Sequence, residues 1–293
     1  MAQGSIQDRW STWLLQTRFA GDPERKRAFE EYLFPVRDRV LANADVQKGD
    51  VLLDIGAGDG LIAFGALPLV GAEGKVIFAD LSQVLLDHAR FLAEQMNLLD
   101  RVGFACLSAD DLKSIPEASV DVVTTRSVLI YVPQKEETFR EFYRVLKRGG
   151  RVSIFEPINR FSWPWLAGTY LGIDVQSIES TAAKLRTLYE RLQPVEADPM
   201  LHFDERDLVR HAEQAGFSEV HLEYRVTIQP NKPSRWEHVL HSSGNPDIPT
   251  LREAIDQTLT LPEAELFEGY MRPRIEAGAG VLREAVAYLW ATK

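Results

Sequence analysis

The chain has a single cysteine, Cys106, among its 293 residues. One thiol excludes an intrachain disulfide and any cysteine-rich metal site. Cations are also in short supply, with 33 Lys and Arg against 43 Asp and Glu, a formal charge of −10. Phosphate contacts need clustered Lys and Arg, so this balance argues against a nucleic-acid partner. The densest basic run, Arg25-Lys26-Arg27, lies beside Glu24, Glu30 and Glu31, as on a solvated helix face. No apolar run approaches the ~20 residues needed to span a bilayer. The opening residues, Met-Ala-Gln-Gly-Ser-Ile-Gln-Asp, lack a signal-peptide pattern. The expectation is a cytoplasmic protein with no membrane partner. Internal repeats and low-complexity stretches are also missing. The length allows a large core, either as one elaborated domain or as a domain with a cap.

What the chain does have is concentrated at residues 51–60, Val-Leu-Leu-Asp-Ile-Gly-Ala-Gly-Asp-Gly. A short apolar run of this kind suits a strand buried on both faces of a parallel sheet. Gly56, Gly58 and Gly60 then alternate, giving a tight turn whose backbone can approach a ligand without an intervening Cβ. A dinucleotide loop would read G-x-G-x-x-G, but Leu61 stands where its third glycine belongs. Asp54, two positions before Gly56, suits a cationic ligand better than a phosphate. The segment resembles motif I, D-x-G-x-G-x-G, of the class I S-adenosylmethionine (SAM) methyltransferases. That resemblance implies an α/β fold: a Rossmann-like, seven-stranded class I methyltransferase sheet with helical cap insertions.

The rest of the chain keeps the rhythm of a doubly wound sheet. Strands are expected at 51–55, 75–79, 102–107, 120–125 and 151–156, with helices at 82–97 and 134–147. Gly149-Gly150 reads as the stop of the second helix. A helix at 204–215 and a strand near 219–229 follow. Residues 283–291 fit a strand or a helix by pattern, and the resemblance favours a closing antiparallel strand. The expected organisation is an N-terminal helical lid over 1–45, a SAM-binding core over 46–157 and a cap insertion over 158–200. The core then continues over 201–229, a second helical cap spans 230–282, and the last core strand occupies 283–293. In the lid, a helix is expected near 5–18, then a Gly21-Asp22-Pro23 break that opens a second helix with an N-cap and a proline. Capping-box patterns at Thr250-x-x-Glu253 and Thr260-x-x-Glu263 start helices in the second cap. Ile178, Ala182, Leu185, Leu188, Tyr189 and Leu192 mark an amphipathic helix in the first.

Asp80 falls 20 residues after Gly60, at a strand end, where a carboxylate either accepts from both ribose hydroxyls or caps the next helix. The resemblance implies an adenine contact from Asp110 or Asp111, and a methionine-lining stretch that begins at Thr125 and includes Arg126 and Ser127. Its expected donor-binding set is Asp54, Gly56, Ala57, Gly58, Asp80, Leu81, Asp110, Asp111, Arg126 and Ser127. The run from Arg144 through Gly149-Gly150 to Glu156-Pro157 resembles small-molecule methyltransferases related to quinone-biosynthesis enzymes.

Methyl transfer from a sulfonium is an in-line displacement that chiefly needs alignment, and a base only when the nucleophile arrives protonated. Tyr131, Glu156 and His202 are the foremost candidates for that base, with His238 and His241 behind them. None of these residues pairs at the spacing of a catalytic dyad or metal site, so no metal is expected. Trp10, Trp13, Trp163, Trp165 and Trp236 all fall in the lid and caps, which suits an apolar or ring-containing small molecule. A dimer interface is the competing use for such aromatics. A protein or peptide acceptor, or SAM binding without transfer, are the alternative functions. Arsenite methyltransferases share the core but bind arsenic through several thiolates, which one cysteine does not provide.

Overall fold

The computed structural model describes residues 9–14, 17–20, 22–163 and 165–293. Residues 5–8, 15, 16 and Gly21, which belong to the expected first helix and hinge, lie outside the described residues. A seven-stranded sheet runs in the order β3-β2-β1-β4-β5-β9-β8. Its strands are β1 (Val51–Ile55), β2 (Lys75–Asp80), β3 (Val102–Cys106), β4 (Val120–Arg126), β5 (Leu146–Pro157), β8 (Ser218–Pro230) and β9 (Val281–Thr292). The first five are parallel, and β9 pairs antiparallel with both β5 and β8. The segment with the ambiguous pattern is therefore a strand. Helices Leu61–Val70, Gln83–Gln95 and Lys135–Val145 make the crossovers. They bury both faces of the central strands, and Leu52, Leu53, Val122, Val123 and Val152 are fully inaccessible. Burying each such side chain contributes about 1.5–3 kcal/mol.

The two insertions build one core between them. A two-stranded hairpin of β6 (Thr169–Tyr170) and β7 (Ile173–Asp174) precedes helix Glu179–Leu192. These pack with helices Trp236–Leu240, Leu251–Thr258 and Leu261–Glu276 around Tyr170, Leu185, Trp236, Phe267 and Met271. Both capping boxes are present, with each Glu reaching back to its threonine. The amphipathic stripe is buried except for Leu192, which is exposed in the last helical turn.

One boundary differs from expectation. Helix Lys135–Val145 ends before the glycines, and β5 starts at once with Leu146. The β4–β5 ladder steps from Val120↔Leu146 to Val122↔Arg151, so Gly149-Gly150 form an irregularity inside the strand. Gly149 has φ +75°, and Lys293 exchanges backbone hydrogen bonds with both glycines at 2.8 Å. The pair ends no helix; it bends a strand.

Candidate active site

The carboxyl ends of β1, β2 and β4 open onto a cavity of about 430 Å³. Three devices shape its floor. Gly56 and Gly58 have φ of +65° and +56°, a region that disfavours side chains. A Cβ on Gly56 would lie 2.2 Å from Val128 Cγ2, so the loop can press against the β4 end only as glycine. The buried Asp54 accepts from Ala63 N–H at 3.1 Å and from the Thr124 hydroxyl at 2.9 Å, tying the loop to the next helix and to β4. Burial pushes its carboxyl up to about 7, against the pull of Thr124 and Arg126.

Asp80 closes β2 and lines the cavity. Its Oδ2 accepts from Gly58 N–H and its Oδ1 from Ser82 N–H, both at 2.8 Å. The helix cap proper is Ser82, whose hydroxyl accepts from Leu85 N–H. A carboxylate has about four acceptor sites, so two remain for a ligand diol. Leu81, Leu85, Leu107 and Ala109 add an apolar slot beside Asp110, which accepts from the Ser108 hydroxyl. Asp111 does not line the cavity and pairs instead with Lys113 at 3.3 Å. Nor do Asp54 and Ala57, while Gly56, Gly58, Asp80, Leu81, Asp110, Arg126 and Ser127 do. Ser127 adopts φ +56°, an uncommon conformation for a non-glycine residue, and its N–H donates to Phe155 C=O at 2.8 Å.

Of the three foremost base candidates, only Tyr131 lines the cavity. Burial pushes its hydroxyl well above the usual range, so it is a neutral phenol at physiological pH. Glu156 points elsewhere. It is completely buried and accepts from the N–H groups of Val128 (2.9 Å), Leu129 (3.0 Å) and Ile130 (3.3 Å). The carboxylate thus holds the turn after β4, and burial pushes it up to about 7. His202 is exposed and outside the lining. His238 Nε2 sits 2.7 Å from Asp22, joining a cap helix to the start of helix Pro23–Asn43.

The lid forms the roof. Trp10 and Trp13 meet Tyr131 edge-on, with ring centroids 4.7 and 6.4 Å apart. Trp13 Nε1 donates to Ser243 C=O at 3.1 Å, and Arg9 pairs with Asp247. Sequence reasoning did not single out Arg18, Asp59, Asn159, Met200 or Gly244, yet all line the cavity. Burial and neighbouring Arg126 push the Arg18 guanidinium down to about 10. Asp59, inside the glycine motif, was the one with a local signal; the others come from segments with no motif.

A glycine loop at the end of β1, an acid at the end of β2 and a cavity over the strand ends define a Rossmann-like site for a nucleoside cofactor. Comparison with known proteins narrows this class. A family model described as a methyltransferase domain matches residues 53–154. The ubiquinone/menaquinone biosynthesis C-methyltransferase UbiE of Escherichia fergusonii is 28% identical over 185 residues, 60% of this chain and 69% of that protein. The chain spans 47% of the length of another such relative, from Pseudoalteromonas translucida, to which it is 30% identical. Among solved structures, phosphoethanolamine N-methyltransferase 2 of Haemonchus contortus, in complex with S-adenosyl-L-methionine, superposes with a TM-score of 0.53 at 18% identity. That alignment covers 100% of this chain and 60% of that one. The [4+2]-cyclase SpnF gives 0.52 at 18% identity, over 89% and 81%. Residues 53–154 thus form a class I SAM-dependent methyltransferase domain, distantly homologous to the quinone C-methyltransferases, and domains of this family use SAM.

Proposed function

We propose that the chain transfers the methyl group of SAM to a small, apolar or ring-containing metabolite enclosed between the strand ends, the lid and the cap. The observation that carries this reading is the roof. Trp10, Trp13 and Leu14 cover the cavity from above and are stitched to the cap loop through Ser243 and Asp247. An acceptor has to fit beneath them, which favours a metabolite over a protein segment. Nucleic acid is disfavoured by the charge of −10. Among the described residues no helix is long and apolar enough to cross a membrane.

SAM, when bound, supplies an electrophilic methyl group on a sulfonium. The chain's own part is to bind, orient and exclude water. Asp80 is assigned to the ribose hydroxyls and Asp110 to the adenine edge, in the slot between Leu81, Leu85 and Leu107. Gly56 and Gly58 offer backbone to the methionine portion, beside Arg126 and Ser127. Tyr131, as a neutral phenol, orients the acceptor as a hydrogen-bond donor rather than removing its proton. Alignment of this kind supplies up to about 7–11 kcal/mol of a displacement barrier.

The fold by itself does not choose this activity, since its structural neighbours include a cyclase as well as a methyltransferase. The test is to incubate the chain with SAM bearing a trideuterated methyl group and a metabolite extract. A small-molecule product 17 mass units heavier than its precursor, roughly the mass of CD3 replacing H, is expected by mass spectrometry. Label recovered only in protein, or no labelled product despite bound SAM, overturns the proposal.

A further inference from the structure

A second cavity, of about 320 Å³, lies inside the cap. Trp163, Trp165, Tyr170, Tyr189, Ile248 and Leu251 are among its walls. Among the described residues, no ionisable side chain other than the two tyrosines lines it, whereas Arg18, Asp59, Asp80, Asp110 and Arg126 all face the first cavity. Three residues, Asn159, Met200 and Gly244, line both. The two spaces therefore meet at these residues, and neither the glycine loop nor Asp80 belongs to the shared wall.

That partition is built with care. The Met200 sulfur accepts from Asn245 Nδ2 at 3.1 Å and from Gln193 Nε2 at 3.5 Å. Its N–H donates to Asp198 at 2.8 Å, and its C=O accepts from Asn159 Nδ2 at 3.4 Å. Asn245 and Gln193 are both buried, and a thioether is a weak acceptor for a buried amide. Such contacts fix the flexible methionine in one place without filling the space on either side of it. The aromatic walls are equally fixed. Trp165 lies 4.7 Å from Trp163 and 4.5 Å from Tyr170, ring centroid to centroid. Trp163 Nε1 is buried and has no hydrogen-bond partner among the described residues, a costly state for a donor in a native fold.

We propose that the cap cavity is the second half of the acceptor site. It takes an uncharged alkyl or ring portion of the acceptor against the walls of Trp163, Trp165 and Tyr170. The portion to be methylated stays beside Tyr131, and Met200 gauges the width of the passage between them. This rests on the reading of the first cavity as the donor site. There the floor from Gly56 to Asp110 is committed to the donor. The acceptor's remaining bulk has its exit at Asn159, Met200 and Gly244.

The test uses the full chain saturated with S-adenosylhomocysteine and a series of 4-alkylphenols, from ethyl to octyl, titrated by calorimetry. Burying each methylene adds up to about fourfold in affinity, the equivalent of roughly 0.8 kcal/mol. The proposal expects a rise of that kind that levels off once the cap cavity is full. Ile248→Trp narrows the cap cavity without touching the first one. It should flatten the rise while leaving the S-adenosylhomocysteine dissociation constant unchanged. The wild-type series is decisive even if that variant fails to fold. Normal S-adenosylhomocysteine binding with no dependence on chain length overturns the proposal, as does a rise that persists undiminished in folded Ile248→Trp. A wild-type chain that does not bind S-adenosylhomocysteine overturns the donor reading itself, and this proposal with it.

Discussion

Replacing Asp80 by alanine should separate a ligand contact from a scaffold contact at one carboxylate. In the protein alone, the side chain accepts from Gly58 N–H and Ser82 N–H, both at 2.8 Å. Its remaining lone pairs are assigned to the ribose hydroxyls. Hydrogen bonds to a charged group are worth about 1.5–3 kcal/mol each, and two of them on one diol rarely sum in full. A loss of about 2–4 kcal/mol in donor affinity follows. That corresponds to roughly a 30- to 1000-fold rise in the dissociation constant for S-adenosylhomocysteine. The variant also strands two backbone amides, so part of any loss could come from a shifted glycine loop. Calorimetry with an S-adenosylhomocysteine analogue lacking both ribose hydroxyls resolves the two. The wild-type chain should bind the analogue far more weakly than the parent, and Asp80→Ala should bind both alike. If removing the hydroxyls costs the same in both proteins, Asp80 does not touch the ribose and the assignment is wrong. The unfolding midpoint without ligand reports the scaffold part separately.

Two further outcomes follow from the buried carboxylates. Glu156→Gln retains one acceptor oxygen but turns an NH2 toward a backbone N–H, which should cost about 1–3 kcal/mol in urea unfolding; unchanged stability with abolished turnover would instead point to a base at this position. The second concerns pH. Asp54 and Glu156 sit at about 7 in the fold, above their ordinary values of 3.8 and 4.5, and burial raises Asp80 in the same direction. The native state therefore binds more protons than the unfolded chain across that window. Their contribution to stability is fully present below about 4 and declines as pH rises toward 7. His211, lowered by burial, opposes this as a single group. Thermal unfolding of the protein without ligand should give a higher midpoint at pH 5.5 than at pH 7.5, and a midpoint that climbs between those values contradicts the burial account.

The parallel half of the sheet was legible because its strands carry short apolar runs, a pattern set by burial on both faces, and β1 and β2 are closed by Gly56 and Asp80. Helix starts were legible where one residue carries the signal, as at Asp22-Pro23, Thr250 and Thr260. Gly149-Gly150 misled because glycine signals a left-handed backbone without saying which element contains it. Only the pairing with Lys293 makes it a strand irregularity. Glu156 was correctly placed at a strand end, but its direction depends on three amides of the turn after β4, which no local pattern announces. Arg18 and Met200 reach the cavity from segments more than 30 residues away from its floor in sequence, and only the packing of lid and cap brings them there.

The position of β9 between β5 and β8 bears on how the chain assembles during synthesis. β8 is made some 50 residues before β9, yet every one of its ladder partners belongs to β9. Emerging first, β8 has no ladder partner until the whole second cap has been translated. Its composition suits that wait. Glu219, Glu223 and Arg225 interrupt its apolar positions, and charges along an unpaired strand discourage it from pairing with other chains. The five parallel strands can form their core early. β8 cannot join the sheet before β9 has paired with β5, so the edge strand that precedes β9 in sequence is the last to be added.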